Sequence, residues 1–566
     1  MSELLTIAVH HHQSGRLHEA GDYYRRVLDG EPDNPNALHL YGLLAHEQGD
    51  IATALQRIGR AVALNPQSAL FHFNLGLVQG DDGDLKAAAG SYQQAISLKP
   101  DFADAHNNLG LVRQKQDRAP DAAACFEAAV TLQPDHVEAL VNLGKARRDQ
   151  GRPGDALRCF EQAAGLRPGL AEAHFEIGKC AEDRSAWDDA AAAFREALQH
   201  KPELLEARNN LATSLLALGD YGEAQAVFHQ VMEARHGTVR DTADDLAAEA
   251  EPKVGGAGRP GPPGDGFIWR DRLADRTEQL EHLLSRGRLD RSYAALTGRC
   301  RVLLDAPPDP VAPAGAVTLP NDQSGQINGL CDSICKWSNT PPLPGGAINW
   351  GLAFDHIEDS YLSSPTNAVY FDDFLSSEAL GALRQFCNES TVFFGRDPAG
   401  YVSSYLRDGF NCDLLYQIAG ELKQCLPRVI GDQFLSNMWA YRHGAGGHGV
   451  VAHTDYGAVT FNFWITPDSA NLDPASGGLV VYRKEEPYDW DWMEVNREKN
   501  APRIKEKIER YLESAETLTI PYRDNRAVLF HSNLFHASDV MRFRSGFENR
   551  RVNISMLFGK RGAPAP

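Results

Sequence analysis

The sequence predicts a multidomain chain in which an all-α solenoid of seven helix pairs precedes a double-stranded β-helix, or jelly-roll, domain with flanking helices. The first observation behind this fold class is a 34-residue periodicity over residues 1–238. The second is a change beyond residue 318 to short β-rich runs separated by glycine, aspartate and proline. A chain of 566 residues is also too long for one hydrophobic core. We therefore expect a solenoid at 1–238, a linker with bridging helices at 239–318, and the jelly-roll domain at 319–566 with its core at about 430–560.

Four series of residues, each spaced 34 positions apart, define the helical repeats. The small residues let two antiparallel helices approach closely, the large residues fill the seam, and proline begins the break before the next unit. The prolines are Pro32, Pro66, Pro100, Pro134, Pro168 and Pro202. The small series is Ala20, Ala54, Ala88, Ala122, Ala156, Ala190 and Ala224, and the large series is Tyr24, Ile58, Tyr92, Phe126, Phe160, Phe194 and Phe228. The fourth series is Gly42, Gly76, Gly110, Gly144 and Gly178, with Ala8 and Ala212 in the outer repeats.

This pattern resembles the tetratricopeptide repeat, and the last unit has His236 where proline would fall, as expected of a terminal repeat. The resemblance implies that the first helices line a concave groove. In relatives, a ladder of asparagines in such a groove grips the backbone of an extended protein or peptide, because an amide both donates and accepts. Asparagine on a merely solvated helix face is the alternative. The ladder positions here are Asn74, Asn108, Asn142 and Asn210, interrupted by Leu40 and Glu176.

Composition and charge exclude several classes of partner. The 56 basic and 76 acidic residues give a formal charge of −20, which repels phosphate backbones and anionic lipid. Neither nucleic acid nor a membrane is therefore an expected partner, and no stretch is long and apolar enough to span a bilayer. The N-terminus lacks the basic and apolar regions of a secretion signal. We expect a cytoplasmic protein whose nine cysteines are reduced.

The region after the repeats changes character twice. Residues 252–266 are rich in proline and glycine and cannot build a core, which indicates a domain boundary. Residues 272–304 have the spacing of a helical pair, whose function is not legible. Further on, a strand at 368–375 leads into a helix at 376–390, and the strand-like runs that follow are MWAYRH, GVVAHTD, AVTFNFWIT, GGLVVYRK, ETLTIPY, RAVLFHS, FHASDVM and RRVNISMLFG. A polar insertion at 489–514 is expected to form a helix or lid.

A pair of residues with the spacing of a metal site lies in the run VVAHTDYG. His453 and Asp455 are two residues apart and project from the same face of a strand. Two imidazoles and one carboxylate form the facial triad that suits iron(II) and leaves three coordination positions open. Two of these can take the oxo-acid group of 2-oxoglutarate and one can take dioxygen. An H-x-D pair alone arises by chance, so the downstream run AVLFHSNLFHASDV matters because it supplies the distal histidine, from His531 or His536.

The predicted core of this domain resembles the prolyl-hydroxylase-like branch of the iron(II)- and 2-oxoglutarate-dependent oxygenases. The resemblance implies that the iron ligands are His453, Asp455 and His536. His536 is favoured over His531 because the family's distal histidine follows a short loop after an apolar strand and precedes small or polar residues. The resemblance also implies that Arg551 grips the far carboxylate of 2-oxoglutarate.

Arg550 competes with Arg551 for the carboxylate-binding role. Strand alternation places Arg551, Asn553 and Ser555 on one face and Arg550 on the other. The family's arginine is followed two places later by a small or polar partner, which favours Arg551 and assigns Asn553 to the cosubstrate side. Tyr441 lies where relatives often place a tyrosine that bonds 2-oxoglutarate, although its spacing here is longer.

Several neighbouring residues have less specific roles. His443 and His448 belong to the glycine-rich run RHGAGGHG and face either the substrate mouth or solvent. Gly477 and Gly478 are expected to form the tight turn into the next strand.

The resemblance implies a reaction as well as a fold. Halogenating relatives lack the metal-binding carboxylate, so the presence of Asp455 favours hydroxylation coupled to oxidative decarboxylation of 2-oxoglutarate. The implied cofactors are iron(II), 2-oxoglutarate and dioxygen, with ascorbate as a further candidate. The expected substrate is a protein or peptide side chain recruited by the repeats. The alternatives are an oxygenase acting on a small metabolite or carrier-bound intermediate, and a non-catalytic repeat scaffold for protein–protein interaction.

Overall fold

A computed structural model describes residues 3–240, 242–243, 266–365, 367–397, 400–444, 449–487, 489–491, 495 and 501–561. By backbone contacts the chain divides into two compact units, Met1–Leu204 and Leu205–Pro566. The proline- and glycine-rich stretch lies largely outside the described residues, and so does His448.

Helices alternate along the first part of the chain at the predicted period. The first helices of the pairs are α1 (Glu3–Gln13), α3 (Pro35–Glu47), α5 (Ala69–Asp81), α7 (Ala103–Lys115), α9 (Val137–Asp149), α11 (Ala171–Asp183) and α13 (Leu205–Leu218). The second helices are α2 (Leu17–Gly30), α4 (Ile51–Leu64), α6 (Leu85–Leu98), α8 (Ala119–Leu132), α10 (Pro153–Leu166), α12 (Trp187–His200) and α14 (Tyr221–His236). Polar side chains begin several of them, for example Asp50, whose carboxylate accepts a hydrogen bond from the backbone of Thr53.

The glycine series exists because the large series packs against it. A Cβ added at Gly110 would lie 2.5 Å from the ring of Phe126, and one at Gly144 would lie 2.6 Å from the ring of Phe160. The same contact recurs at Gly178, where the added atom would be 2.5 Å from the ring of the aromatic residue 16 positions later. These helix pairs are therefore held at a separation that only glycine permits, which confirms the predicted seam.

The seventh helix pair belongs to the second compact unit. His236, the residue in place of proline, is buried against Phe394 with the two rings stacked at 3.8 Å. Its Nδ1 lies 3.1 Å from the carbonyl oxygen of Asp332, and its Nε2 lies 3.2 Å from a carboxylate oxygen of Asp408. The repeat sequence thus ends near the predicted residue 238, whereas the compact unit begins earlier, at Leu205. These contacts of the His236 ring explain why histidine stands here in place of proline. They explain it better than the position of the residue in the last repeat does.

The predicted bridging helices are part of the second unit as well. They are α15 (Arg270–Ser285) and α16 (Tyr293–Asp305), and they share an apolar core with α17 (Ser324–Asp332) and with the short strands β1 (Phe267–Trp269) and β2 (Ala316–Thr318). Asp275 of α15 is buried and receives two bonds from Arg442, at 3.1 and 2.6 Å, and one from Arg550 at 2.5 Å. The first of the two predicted bridging helices is therefore joined by ion pairs to Arg442 and Arg550 of the same unit.

Two antiparallel sheets form the rest of the unit. The larger sheet has seven strands in the order β3 (Ala368–Phe371), β10 (Ala527–His531), β7 (Val459–Trp464), β12 (Val552–Phe558), β6 (Leu435–His443), β5 (Tyr401–Tyr405) and β4 (Gly395–Asp397). The smaller sheet has the order β11 (Leu534–Ser538), β8 (Leu479–Glu485) and β9 (Thr517–Ile520). The helices that accompany them are α18 (Phe354–Ser363), α19 (Ser377–Glu389), α20 (Asp413–Cys425) and α21 (Pro502–Leu512).

Side chains from both sheets share one buried cluster, so the sheets pack face to face. Trp464 and Phe530 come from the larger sheet, and Val481 and Ile520 come from the smaller one. The predicted strand GVVAHTD is wrong as a strand, because its described part makes only an isolated bridge between His453 and the strand β11. The strands β4 and β5 were not predicted.

Candidate metal centre

Three potential metal ligands converge at the edge of the smaller sheet. His453, Asp455 and His536 are buried, and their ligand atoms all lie within 4.8 Å of one another. The Nε2 of His453 lies 3.9 Å from one carboxylate oxygen of Asp455, and the Nε2 of His536 lies 3.5 Å from the other. Among the residues that the structure describes, no other group of histidine, cysteine and carboxylate side chains is arranged in this way.

Backbone bonds hold the two histidines in place. His453 and His536 face each other across the bridge, with N–H···O distances of 3.1 and 2.9 Å in the two directions. The Nδ1 of His453 lies 2.9 Å from the carbonyl oxygen of Val451, and the Nδ1 of His536 lies 3.1 Å from that of Leu534. A carbonyl oxygen only accepts, so each Nδ1 carries the proton, and the lone pair of each Nε2 faces the cluster.

Asp455 is oriented by two hydrogen-bonded hydroxyl groups. Thr460 donates a hydrogen bond of 2.9 Å to the carboxylate, and its oxygen is 2.9 Å from the hydroxyl of Ser532. The backbone N–H of Asp455 donates to the carbonyl of Ser532 at 3.0 Å. The carboxylate therefore has a fixed orientation even though H-x-D lies outside any strand.

A small cavity joins the triad to the inner face of the larger sheet. Its volume is about 20 Å³, enough for an ion or a water molecule. The lining residues outside the triad are Trp439, Tyr441, His443, Val450, Asn462, Leu479, Ser538, Arg551, Asn553 and Ser555.

Arg551 and Arg550 have opposite environments, as strand alternation predicts. Arg550 points to α15, where it bonds to Asp275 and, at 2.8 Å, to Glu278. Arg551 is buried at the cavity and donates to the carbonyl oxygen of Gly478 at 3.1 Å, while its Nε has no hydrogen-bond partner. Among the described residues, no carboxylate forms an ion pair with Arg551, and burial lowers its pKa from 12.5 to about 10. At neutral pH it is thus a charged group in the interior, on which the carboxylate of Asp539 acts electrostatically without forming an ion pair among the described residues.

The remaining predicted residues divide between the cavity and other places. Tyr441 lines the cavity, and burial raises its pKa well above 10. Asn553 lines it too, with its amide donating to the hydroxyl of Ser555 at 3.1 Å. His531 lies elsewhere, on β10, where its Nδ1 is 3.6 Å from a carboxylate oxygen of Glu485.

Two cavity residues were missed from the sequence, and a third was underrated. The indole N–H of Trp439 and the amide oxygen of Asn462 are buried at the cavity, and neither has a hydrogen-bond partner in the described part of the chain. For His443 the sequence left both the substrate mouth and solvent open, and the residue is 2% exposed and lines the cavity. The signal was present in the sequence, because Trp439, Tyr441 and His443 alternate on one face of β6.

The turn glycines have the structural role predicted for them. A Cβ at Gly478 would lie 1.9 Å from the carbonyl oxygen of Ile520, and Gly477 has a φ of +84° that side chains disfavour. Their turn places the carbonyl of Gly478 beside Arg551.

The predicted asparagine ladder is largely bonded within the repeats. Asn74 is buried, and its amide donates to the ring Nε2 of His39 at 2.7 Å. The amide of Asn142 donates to Asn107 at 2.9 Å, and Asn107 in turn donates to Asn108 at 3.2 Å. Asn210 is half-buried in the seventh pair. The hydrogen bonds of Asn74 and Asn142 join neighbouring repeats, and the repeat pattern did not predict them.

Comparison with known proteins identifies the helical part. Tetratricopeptide-repeat models match residues 11–75 and 181–241, 101–168 and 141–204, and a TPR-repeat model matches 81–117. Residues in this part of the chain therefore form tetratricopeptide repeats. No curated protein matches the chain.

MamA, YrrB and PilF are similar solved structures, and each covers about a third of this chain. MamA is 25% identical over 29% of this chain and 97% of its own, with a TM-score of 0.28. YrrB, described as a TPR protein with an unusual peptide-binding site, is 20% identical over 32% of this chain and 95% of its own, with a TM-score of 0.29. PilF of Pseudomonas aeruginosa is 20% identical over 36% of this chain and 93% of its own, with a TM-score of 0.33. Separately, none of the described helices combines the length and the apolar character needed to cross a bilayer.

Proposed function

We propose that the second unit is an iron(II)- and 2-oxoglutarate-dependent dioxygenase that hydroxylates a protein or peptide side chain recruited by the repeats. One observation carries the proposal: the buried triad His453, Asp455 and His536 opens onto a cavity that also contains Arg551, a buried cation with no ion-pair partner among the described residues. The two face-to-face sheets fit a jelly roll, the fold expected for this chemistry.

The donor set fits iron(II). Two neutral imidazole nitrogens and one carboxylate oxygen are the facial arrangement typical of non-haem iron oxygenases, and they leave further coordination positions for other ligands. The bonds from each Nδ1 to a backbone carbonyl supply the outer support that metal-bound histidines usually have. A zinc site would accept the same residues, so the metal itself has to be measured.

Arg551 fits a carboxylate ligand. An unpaired buried guanidinium is costly, and a planar carboxylate satisfies it through two parallel hydrogen bonds. The triad and Arg551 line the same cavity, so one end of a dicarboxylate would meet the metal and the other would meet the guanidinium.

Iron(II) and 2-oxoglutarate, when bound, supply activation of dioxygen and hydroxylation of a C–H bond. The chain's own residues have three roles around that chemistry. His453, Asp455 and His536 would hold the metal, Arg551 would fix the cosubstrate, and the apolar walls at Val450 and Leu479 would exclude water.

A second candidate keeps the oxygenase and replaces the polypeptide with a small metabolite. The observation in its favour is that Asn74 is buried and bonded to His39, so that this rung of the ladder is not presented to a peptide. In that case the repeats would serve assembly.

The proposal is tested by incubating the full chain with iron(II) and 2-oxoglutarate and measuring succinate. We expect slow succinate formation without added substrate, and its loss in Asp455→Ala. His531→Ala is the matched control, because this buried histidine lies outside the triad, and it should retain wild-type turnover. Equal turnover in wild type and Asp455→Ala would refute the assignment.

A further inference from the structure

His443 is a buried histidine to which the proposed function assigns no role. It is 2% exposed, it lines the cavity, and neither ring nitrogen has a hydrogen-bond partner among the described residues. Leaving a buried polar group without a hydrogen-bond partner costs free energy. A side chain that only filled space here would be apolar, so the imidazole indicates a ligand.

The sheet places His443 directly beside Arg551. The strand β6 pairs with β12 so that Asn553 faces Tyr441 and Val552 faces Arg442. The next pair in this register is Arg551 with His443, joined by a backbone hydrogen bond of 2.9 Å from the N–H of His443. Side chains of directly opposed residues lie on the same face, with Cβ atoms about 4.5–5.5 Å apart.

Arg551 has hydrogen-bonding capacity left for a shared ligand. Its guanidinium lies over the ring of Trp464 at 5.4 Å, a contact that occupies the face of the group and leaves its edges available. One nitrogen donates to Gly478, whereas the Nε has no partner. A carboxylate has about four acceptor positions, and can therefore accept from Arg551 and from a second donor at once.

We infer that His443 is a second carboxylate-binding residue, whose ring N–H donates a hydrogen bond to the same ligand carboxylate that Arg551 binds. The inference rests on the proposed function, since it concerns the far carboxylate of 2-oxoglutarate. Burial and the charge of Arg551 lower the pKa of His443 well below its usual value. The ring is thus neutral near pH 7 and has one N–H to donate, without adding a second positive charge beside the guanidinium.

This arrangement explains why the strand ends in histidine. A second arginine or lysine beside Arg551 would add like-charge repulsion in the interior, whereas an apolar residue would leave one side of the carboxylate without a donor. A neutral imidazole avoids both costs.

The test is calorimetric titration of 2-oxoglutarate into the full chain loaded with manganese(II) in the absence of oxygen. His443→Leu removes the donor at similar volume and should weaken 2-oxoglutarate binding about tenfold, the loss expected for one hydrogen bond to a charged group. His443→Gln keeps a donor and should recover much of the affinity. Manganese(II) affinity without 2-oxoglutarate should be the same in all three proteins.

His531→Leu is the control, because it removes a buried histidine outside the cavity, and it should bind 2-oxoglutarate like wild type. Circular dichroism shows whether each variant is folded, and if His443→Leu is not, the comparison is made with His443→Phe. Wild-type affinity in the apolar variant would overturn the role of His443 and leave the proposed function standing. A wild-type chain that binds manganese(II) but not 2-oxoglutarate would overturn both.

Discussion

Two sets of buried polar groups, one in the helical repeats and one at the cavity of the second unit, differ in how they are satisfied. In the repeats, Asn74 bonds to His39, and Glu176 bonds to Arg148 at 3.0 Å. At the cavity, His443 and the Nε of Arg551 have no partner among the described residues. Paired polar groups contribute to a unique packed structure, whereas unpaired ones are maintained at a cost. The groups named in the repeats are satisfied by other side chains of the repeats. Those named at the cavity are left for a ligand to satisfy.

The larger sheet repeats this contrast between its two faces. Arg442 and Arg550 point to α15 and share Asp275, while Arg551 lies at the cavity and has no carboxylate in an ion pair among the described residues. Arg550 and Arg551, which directly precede β12, therefore have opposite environments, because the alternation of the strand extends to them.

The largest effect on stability is expected on the face of the larger sheet where Arg442 and Arg550 bind Asp275. Asp275→Ala leaves the buried Arg442 and the half-buried Arg550 without their shared anion, which should destabilise the second unit by about 3–5 kcal/mol. Denaturant unfolding measures this, with Asp359→Ala as the control, since that carboxylate pairs with Arg428 at an exposed position. A small loss at Asp275, equal to that of the control, would mean that the ion cluster contributes little to stability.

The next largest effect is expected on the opposite face of the sheet, where Arg551 lies at the cavity. Arg551→Gln should weaken 2-oxoglutarate binding by about a hundredfold or more, because a bidentate carboxylate pair is lost. Stability should change little, because the removed buried charge has no ion-pair partner among the described residues. Arg550→Gln should show the reverse, with normal 2-oxoglutarate affinity and a lower free energy of unfolding. The contrast between the faces fails if the two variants behave alike.

The smallest effect is expected in the repeats. Asn74→Ala removes the donor to the buried ring of His39 and should lower the free energy of unfolding by about 1–2 kcal/mol. Asn210→Ala, at the half-buried position in the seventh pair, should cost less. Unfolding of the two variants by urea checks this. An unchanged midpoint in Asn74→Ala would return that side chain to the list of groove residues.

Much of the repeat structure could be predicted because its contacts are local. Residues such as Gly110 and Phe126 lie 16 positions apart in every unit, so the period alone indicates which side chains meet. The alternation of side chains along a strand likewise sufficed to predict that Arg550 and Arg551 face opposite sides of the sheet. The placement of α15 could not be predicted from the sequence. Its ion pair joins Asp275 to Arg442 across 167 positions, and no local sequence pattern indicates a contact over that distance.

The site was predicted in part for the same reason. His453 and Asp455 are recognisable by spacing, although they are held by a bridge and by Thr460 instead of by a strand. Trp439 and Asn462 were missed because an indole or an amide within an apolar strand looks like core packing. Only the pairing of the strands shows that their polar atoms meet at one cavity.

All the proposed chemistry depends on an iron centre formed by His453, Asp455 and His536. The most direct measurement is anaerobic titration of the full, metal-free chain with iron(II), followed by determination of bound metal per chain. We predict one iron per chain in wild type and in His531→Ala, and a loss of binding in His453→Ala, Asp455→Ala and His536→Ala. Absence of iron binding in wild type, or full occupancy in the three ligand variants, would contradict the account.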